Sequence, residues 1–244
     1  LDLQPGDVVA RGNFCTVDKA GLITDRRAGR ISSEKCIELC RLLDGAAIWN
    51  VKAIVRPVKE HRFVVVFRGE GLSAELGDSD PQQTGVLPKP VIALNHEAVA
   101  TARVANQFLA QAKVILAEHS PANNLLLRGF SRRPAWPLLQ GIYKLTPAAI
   151  ASYPMYRGLA RLVGMDVLST GGSMEEEFRT LALNYEKYDF FFLHIKGADS
   201  AGEDGDFARK VAVIEELDSF LPRLTALNPD VLVVTGDHST PALL

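Results

Sequence analysis

An α/β fold with a parallel sheet is what this sequence predicts, from three observations. Residues 188–195 are an almost unbroken apolar run, residues 231–234 are a second, and between them 207–227 carries Phe207, Val211, Ile214, Leu217 and Leu221 at helical spacing. Two buried strands joined by a helix long enough to cross over make a βαβ unit, in which the strands run parallel. The loops after both strands then emerge at one edge of the sheet, where open α/β folds hold their sites. Pro222 is expected to kink the helix near its end, because it lacks an N–H and crowds the turn before it.

The earlier elements follow in order. Residues 7–14 read as a strand, and 36–43 as a helix with Cys36, Leu39, Cys40 and Leu43 on one face. Residues 63–68, rich in Val and Phe, read as a second strand. Residues 69–90 hold turn residues, most clearly Asp78, Ser79, Asp80 and Pro81. A long amphipathic helix is predicted over 96–119, with Val99, Val104, Phe108, Ala112 and Ile115 inward and Pro121 closing it. Arg132, Arg133, Pro134 and Pro137 interrupt the pattern, so 128–137 is the expected linker between domains 1–134 and 135–244.

Composition narrows the function classes. With 244 residues, 47% of them hydrophobic and 23% charged, the chain can bury one large core or two modest ones. A net charge of −2 leaves no basic field to attract nucleic acid or an anionic membrane. Cys15 stands alone and Cys36 and Cys40 lie one helical turn apart, which is neither a zinc pattern nor a disulfide framework. A cytoplasmic location without membrane spans is expected. The start at Leu1 and the stop after Pro241, Ala242, Leu243 and Leu244 lead us to expect a piece of a longer chain.

The two loops at the predicted sheet edge carry the chemistry. Lys196, Asp199, Glu203, Asp204 and Asp206 follow the first apolar run, and Thr235, Gly236, Asp237, His238, Ser239 and Thr240 follow the second. Carboxylates and an imidazole converging on one edge suit a divalent ion such as Mn²⁺, Mg²⁺ or Zn²⁺. No phosphate cradle is present, since no Gly-rich turn ends in Lys and Ser or Thr. Counting from Asp199 places Asp204 where an EF-hand needs Gly and Lys210 where it needs Glu. The alternative is a solvated acidic turn that caps the next helix through Asp204 or Asp206.

The stretch TGDHSTP at 235–241 closely resembles the metal-binding signature of the archaeal-type cofactor-independent phosphoglycerate mutases, in the alkaline phosphatase superfamily. Further matches lie at VARGNFCTV (9–17), DRRAGR (25–30), HRFVVVF (61–67), 78–85, 126–129 and 191–207, in family order along the whole chain. The resemblance implies an alkaline-phosphatase-like parallel-sheet domain, incomplete here, holding two divalent ions, with an inserted α+β substrate-binding domain. It further implies interconversion of 3- and 2-phosphoglycerate through a phosphoserine, without 2,3-bisphosphoglycerate. Residues 1–134 would then be mainly the substrate-binding domain and 135–244 the C-terminal part of the metal-binding domain.

Residue by residue, Asp237 and His238 resemble ligands of one ion and Asp199 a ligand of the other. The family's next ligand is a His where Glu203 stands, a departure that bears on metal preference. The nucleophilic Ser is expected before Leu1 and another His after Leu244, so the chain alone is expected to be inactive; Ser239 matches a structural position. Phosphoglycerate carries a phosphate and a carboxylate, which guanidinium groups hold with paired hydrogen bonds. The candidates are Arg26, Arg27 and Arg30, with Arg11, Arg62 and Arg128 in the other matching segments. His61 resembles the substrate-domain His, Lys144 the active-site Lys, and Asp25 is placed as an acid or base toward the glycerate hydroxyls. His96, His119 and His194 read as structural. A metal-dependent phosphohydrolase, another phosphomutase or a non-catalytic binding module remain alternatives, because fold and metal set do not fix the substrate.

Overall fold

The structure, a computed structural model, describes residues 2–242. The chain divides into two compact units, Leu1–Arg133 and Pro134–Leu244.

The first unit contains β1 (Val8–Val17), β2 (Ile23–Asp25), α1 (Ser33–Leu43), β3 (Ala47–Ile48), β4 (Val51–Lys59), β5 (Arg62–Arg68), α2 (Val99–Leu116) and β6 (Asn124–Ser131). Its six strands form an antiparallel sheet in the order β2-β1-β5-β4-β3, with β6 also paired to β1. Strand side chains alternate between faces, so Val8, Ala10, Gly12 and Phe14 share one side of β1. The first three stand opposite Phe67, Val65 and Phe63 of β5. This face is the core. Helix α1 covers it with Cys36, Leu39, Cys40 and Leu43, and α2 with Val104, Phe108, Ala112 and Leu116. Phe67 meets Phe108 edge to face at 5.6 Å. Each large side chain buried in this way contributes about 1.5–3 kcal/mol. Ser32 starts α1 by accepting the Lys35 amide at 3.2 Å.

Several predicted boundaries move. The 96–119 helix is a 3-10 turn, His96–Ala98, followed by α2, which ends at Leu116. Val99 and Ile115 are exposed instead of buried: the buried stripe opens at Thr101 and Ala102 and closes on Leu116 in place of Ile115. Residues 69–90 contain no strand or helix, as expected from their turn residues, apart from an isolated bridge between Leu76 and Ala93.

The second unit contains α3 (Leu139–Tyr143), β7 (Pro147–Ala151), α4 (Pro154–Leu162), β8 (Asp166–Val167), α5 (Met174–Asn184), β9 (Phe190–His194), α6 (Gly197–Glu203) and α7 (Phe207–Thr225). Its three strands are parallel, in the order β8-β7-β9, with α4 and α5 as the crossovers. β7 is alanine-rich and buried along its whole length, and its small side chains let α4 pack close, with Ala149 against Ala160 and Met165.

Two expectations fail in this unit. Residues 231–234 form no strand; Val231, Val233 and Val234 are 78%, 74% and 67% exposed. An apolar run meets a buried strand's need for greasy side chains, but it cannot supply the ladder partner, and none stands beside it among the described residues. The parallel pairs are therefore β7 with β8 and with β9, not 190–195 with 231–234. Helix α7 turns a different face inward from the predicted one. Phe220 packs on Phe178 of α5 with ring centroids 5.0 Å apart, while Phe207, Val211 and Ile214 are exposed. The helix has apolar residues on both sides, and periodicity does not choose between them. It runs through Pro222 to Thr225.

Candidate functional site

In the second unit, β9 ends at His194 and the chain enters α6, not the loop expected, with Asp199 in its first turn. Asp199 accepts a bond from Lys196, three residues back, and from the Thr240 hydroxyl at 2.5 Å. His238 Nε2 lies 3.7 Å from Asp199 Oδ1 and 3.7 Å from Asp237 Oδ2. The Tyr156 hydroxyl of α4 donates to the other side of this cluster, at Asp237 Oδ2. Its ring stacks on His194 with centroids 3.5 Å apart. Asp199, Asp237 and His238 thus come together although 231–234 is not a strand. What joins them is side-chain bonding, not a shared sheet edge.

The electrostatics follow from these partners. The bonds from Lys196 and Thr240 hold the Asp199 carboxyl below the ordinary carboxylate range, and Tyr156 does the same for Asp237. The bond to Asp237 pushes the Tyr156 phenol up to about 12. Burial pushes His194 down, against the pull of Asp237 and Asp199. As a donor set, two carboxylates with an imidazole between them fit a divalent ion. No cluster of three or more such ligands is closed to metal distance among the described residues. The Lys196 ammonium presently supplies the positive charge on Asp199.

Other predicted residues of this unit lie elsewhere. Glu203 is exposed, one helical turn after Asp199, and acts on Lys196 only through its charge. Asp206 caps α7 by accepting the Arg209 amide at 2.9 Å, as the capping alternative foresaw for the end of the acidic run. Lys144, in a left-handed conformation at the end of α3, donates to the Gly141 carbonyl at 2.8 Å. The Ser239 hydroxyl is exposed and has no hydrogen-bond partner among the described residues. Sequence reading missed Tyr156 altogether and named Lys196 and Thr240 only as residues of the two loops, with no part in the site. Lys196 and Thr240 each lie within three residues of a predicted ligand, which was a signal; Tyr156, 81 residues from Asp237, gave none.

In the first unit, the sheet face opposite the core is cationic. Arg11 and Asn13 lie on that face of β1; Arg128 of β6 stands directly opposite Arg11, and Arg62 of β5 opposite Asn13. Asn13 is buried and its side-chain oxygen has no partner. Asp25 at the end of β2 folds the next turn onto itself, accepting the amides of Arg27 at 2.7 Å and Gly29 at 2.6 Å. Ala28, Gly29 and Arg30 all take left-handed backbone, with φ of 48°, 61° and 52°. Only Gly does so without cost, and such strain concentrates at functional sites. Arg27 and Arg30 are exposed on this turn.

Arg26 departs from its two neighbours. Its Nε and Nη2 donate to Asp80 at 3.0 and 2.7 Å, and Arg128 Nη1 lies 3.7 Å from the same carboxylate. Asp80 is fully buried as a side chain. Burial would raise its carboxyl, but the Arg26 bonds, the Gln82 amide and the charge of Arg128 outweigh that and hold it low. His61 is buried, its Nδ1 makes no hydrogen bond and lies 4.0 Å from Glu60 Oε2, and burial, with the charges of Arg62, Arg27 and Arg11 added, takes it down to about 4 against the pull of Glu60. Asp80 was read from sequence only as a turn residue.

The second unit, a parallel sheet with a carboxylate–imidazole cluster, is of metalloenzyme type: residues 113–244 match the Metalloenzyme superfamily. Residues 1–123 match the family described as 2,3-bisphosphoglycerate-independent phosphoglycerate mutase, and the chain belongs to that family. It is 49% identical over 246 residues to a probable 2,3-bisphosphoglycerate-independent phosphoglycerate mutase of Thermosipho africanus, covering 100% of this chain and 61% of the relative. It is 50% identical over 252 residues to a probable enzyme of the same name in Deinococcus radiodurans, covering 100% of this chain and 62% of the relative. The cofactor-independent phosphoglycerate mutase of Thermoplasma acidophilum has a similar structure, with a TM-score of 0.67 and 30% identity over 93% of this chain and 63% of that one. The PH0037 protein of Pyrococcus horikoshii shares the fold, with a TM-score of 0.75 and 22% identity over 99% of this chain and 61% of that one. The chain therefore spans about three fifths of its relatives' length. No helix among the described residues is long and apolar enough to cross a membrane.

Proposed function

We propose that the protein carrying this chain interconverts 3- and 2-phosphoglycerate through a phosphoserine, without 2,3-bisphosphoglycerate, in the cytoplasm. The observation that carries the proposal is the joint match: one half of the chain falls in the mutase family and the other in the metalloenzyme superfamily. In this reading Asp199, Asp237 and His238, with Glu203 turning toward them, hold two divalent ions of the Mn²⁺, Mg²⁺ or Zn²⁺ type. Ions so placed neutralise phosphoryl oxygens and lower the pKa of the attacking hydroxyl. The serine that carries the phosphoryl group is supplied outside residues 1–244, and this chain alone is inactive.

The first unit grips the glycerate. Arg11, Arg62 and Arg128 on the cationic face, with Arg26, Arg27 and Arg30 on the turn after β2, bind the phosphate and carboxylate, since paired N–H donors match both groups. His61, kept neutral by burial first and then by its cationic neighbours, lends a ring nitrogen without adding charge. Asp25 moves protons at the glycerate hydroxyls, and Lys144 adds a cation to the phosphoryl site. The test is turnover of 3-phosphoglycerate by the full-length protein with no bisphosphoglycerate present. Activity lost to a chelator and restored by Mn²⁺ is expected. Release of inorganic phosphate without isomerisation would make the protein a phosphohydrolase and sink the proposal.

A further inference from the structure

We infer that Asp80 is a positioning residue: its buried carboxylate sets Arg26 and Arg128 as a preformed clasp for an oxyanion, the phosphate or carboxylate of the substrate. Asp80 contributes one negative charge, and two guanidinium groups converge on it from different elements, Arg26 from the turn after β2 and Arg128 from β6. Arg26 spends Nε and Nη2 on the carboxylate, which fixes the plane of the guanidinium and leaves Nη1 with no hydrogen-bond partner among the described residues. Arg128 makes no side-chain hydrogen bond among the described residues; the charge of Asp80 at 3.7 Å holds it. The two arginine side chains keep 28% and 31% of their surface exposed while the carboxylate between them keeps none. Both guanidinium groups thus keep unspent donors on side chains that solvent reaches.

The surroundings argue for a bound anion and not merely a buried ion pair. Arg128 stands directly opposite Arg11 across the β1–β6 ladder. Asp25 accepts the amides of Arg27 and Gly29, and Asp78 accepts the Gly129 amide at 2.8 Å; neither bonds to either guanidinium among the described residues. Among the described residues one carboxylate, Asp80, pairs with both guanidinium groups, so their donors are already aligned, and alignment before binding is what lowers the cost of holding a ligand.

The inference rests on the mutase reading only for the identity of the anion, and the experiment separates the two. Inorganic phosphate and 3-phosphoglycerate are titrated calorimetrically into the 244-residue chain and into Asp80→Asn, Asp80→Glu and Arg128→Lys. Phosphate should bind the parent chain, and Asp80→Asn and Arg128→Lys should each weaken it by about tenfold or more. Asp80→Glu, which restores the charge, should recover part of the loss. The double variant Asp80→Asn with Arg128→Lys should be no worse than Asp80→Asn alone, because the residues act as one unit. If Asp80→Asn does not fold, Arg128→Lys with an unchanged melting temperature carries the test, since it leaves the Arg26–Asp80 bonds in place. A folded Asp80→Asn or Arg128→Lys variant that binds phosphate as the parent does would overturn the clasp, as would a parent chain that binds no phosphate. Asp80-dependent phosphate binding with no preference for phosphoglycerate would leave the clasp standing and count against the mutase reading.

Discussion

The Thr240 hydroxyl donates to Asp199 Oδ1 at 2.5 Å, reaching back 41 residues along the chain. Together with the contact of His238 on Asp199, it ties the segment after 231–234 to α6. An ion taken up by this cluster must compete with Lys196 and Thr240 for Asp199, and with Tyr156 for Asp237. Asp237→Asn should therefore weaken Mn²⁺ binding by about tenfold or more, as loss of a charged ligand does. Asp218→Asn on α7 should leave it unchanged. Calorimetry on the parent chain and both variants decides the matter, and equal effects would remove Asp237 from the ligand set.

The three arginines after Asp25 should separate by stability. Arg26→Lys replaces two charge-assisted bonds to a buried carboxylate with a single point charge, and should cost about 1–3 kcal/mol. Arg27→Lys and Arg30→Lys change exposed side chains on the turn and should stay within about 0.5 kcal/mol. Urea denaturation measures all three. An Arg26→Lys variant as stable as the other two would mean that the bonds to Asp80 contribute nothing net.

Much of the first unit was legible because β5 is a run of Val and Phe, as a strand buried on both faces is, and because the Cys36–Leu39–Cys40–Leu43 stripe gives α1 a single buried side. β7 was not legible, since Ala148, Ala149 and Ala151 are too small to mark a buried strand by hydrophobicity. The run at 231–234 misled for the opposite reason, being greasy without a partner. Of the cluster around Asp199, the ligand types were legible from composition, whereas Tyr156 reaches Asp237 only through the fold. Asp80 looked like any turn aspartate, because burial of a carboxylate depends on cations that lie 54 and 48 residues away in sequence.

Gly12 is a packing requirement. A Cβ built there would lie 2.1 Å from the Phe63 ring, which is itself 1% exposed and held against Phe14 at 4.6 Å between centroids. The ring has nowhere to retreat, so Gly12→Ala should destabilise the chain by about 1–3 kcal/mol, the usual cost of overpacking. Gly45→Ala is a poorer control because of its positive φ. Gly141→Ala serves better, since nothing lies within 4 Å of the added carbon. A thermal or urea melt in which Gly12→Ala matches Gly141→Ala would show that the sheet relaxes around the methyl group.

His61 should make stability depend on pH in a defined window and direction. Its ordinary value of 6.5 is lowered to about 4 in the fold, by burial first and then by the charges of Arg62, Arg27 and Arg11, against the opposing pull of Glu60. Between those values the unfolded chain binds a proton that the folded chain refuses, so unfolding is favoured as the solution becomes more acidic. The stabilisation is complete above pH 6.5 and is lost progressively toward pH 4, with a slope of at most about 1.4 kcal/mol per pH unit for one proton. Glu177 opposes this. Burial raises its carboxyl, so its contribution is present at low pH and declines as pH rises through the raised value. The two are separated by subtraction: urea midpoints of the parent and of His61→Gln, measured from pH 4 to pH 7.5, should diverge at the top of the range and converge at the bottom, because Gln cannot titrate while Glu177 is common to both. Parallel curves across the whole range would show that His61 is protonated in the fold as readily as out of it, and that its cationic neighbours are already neutralised.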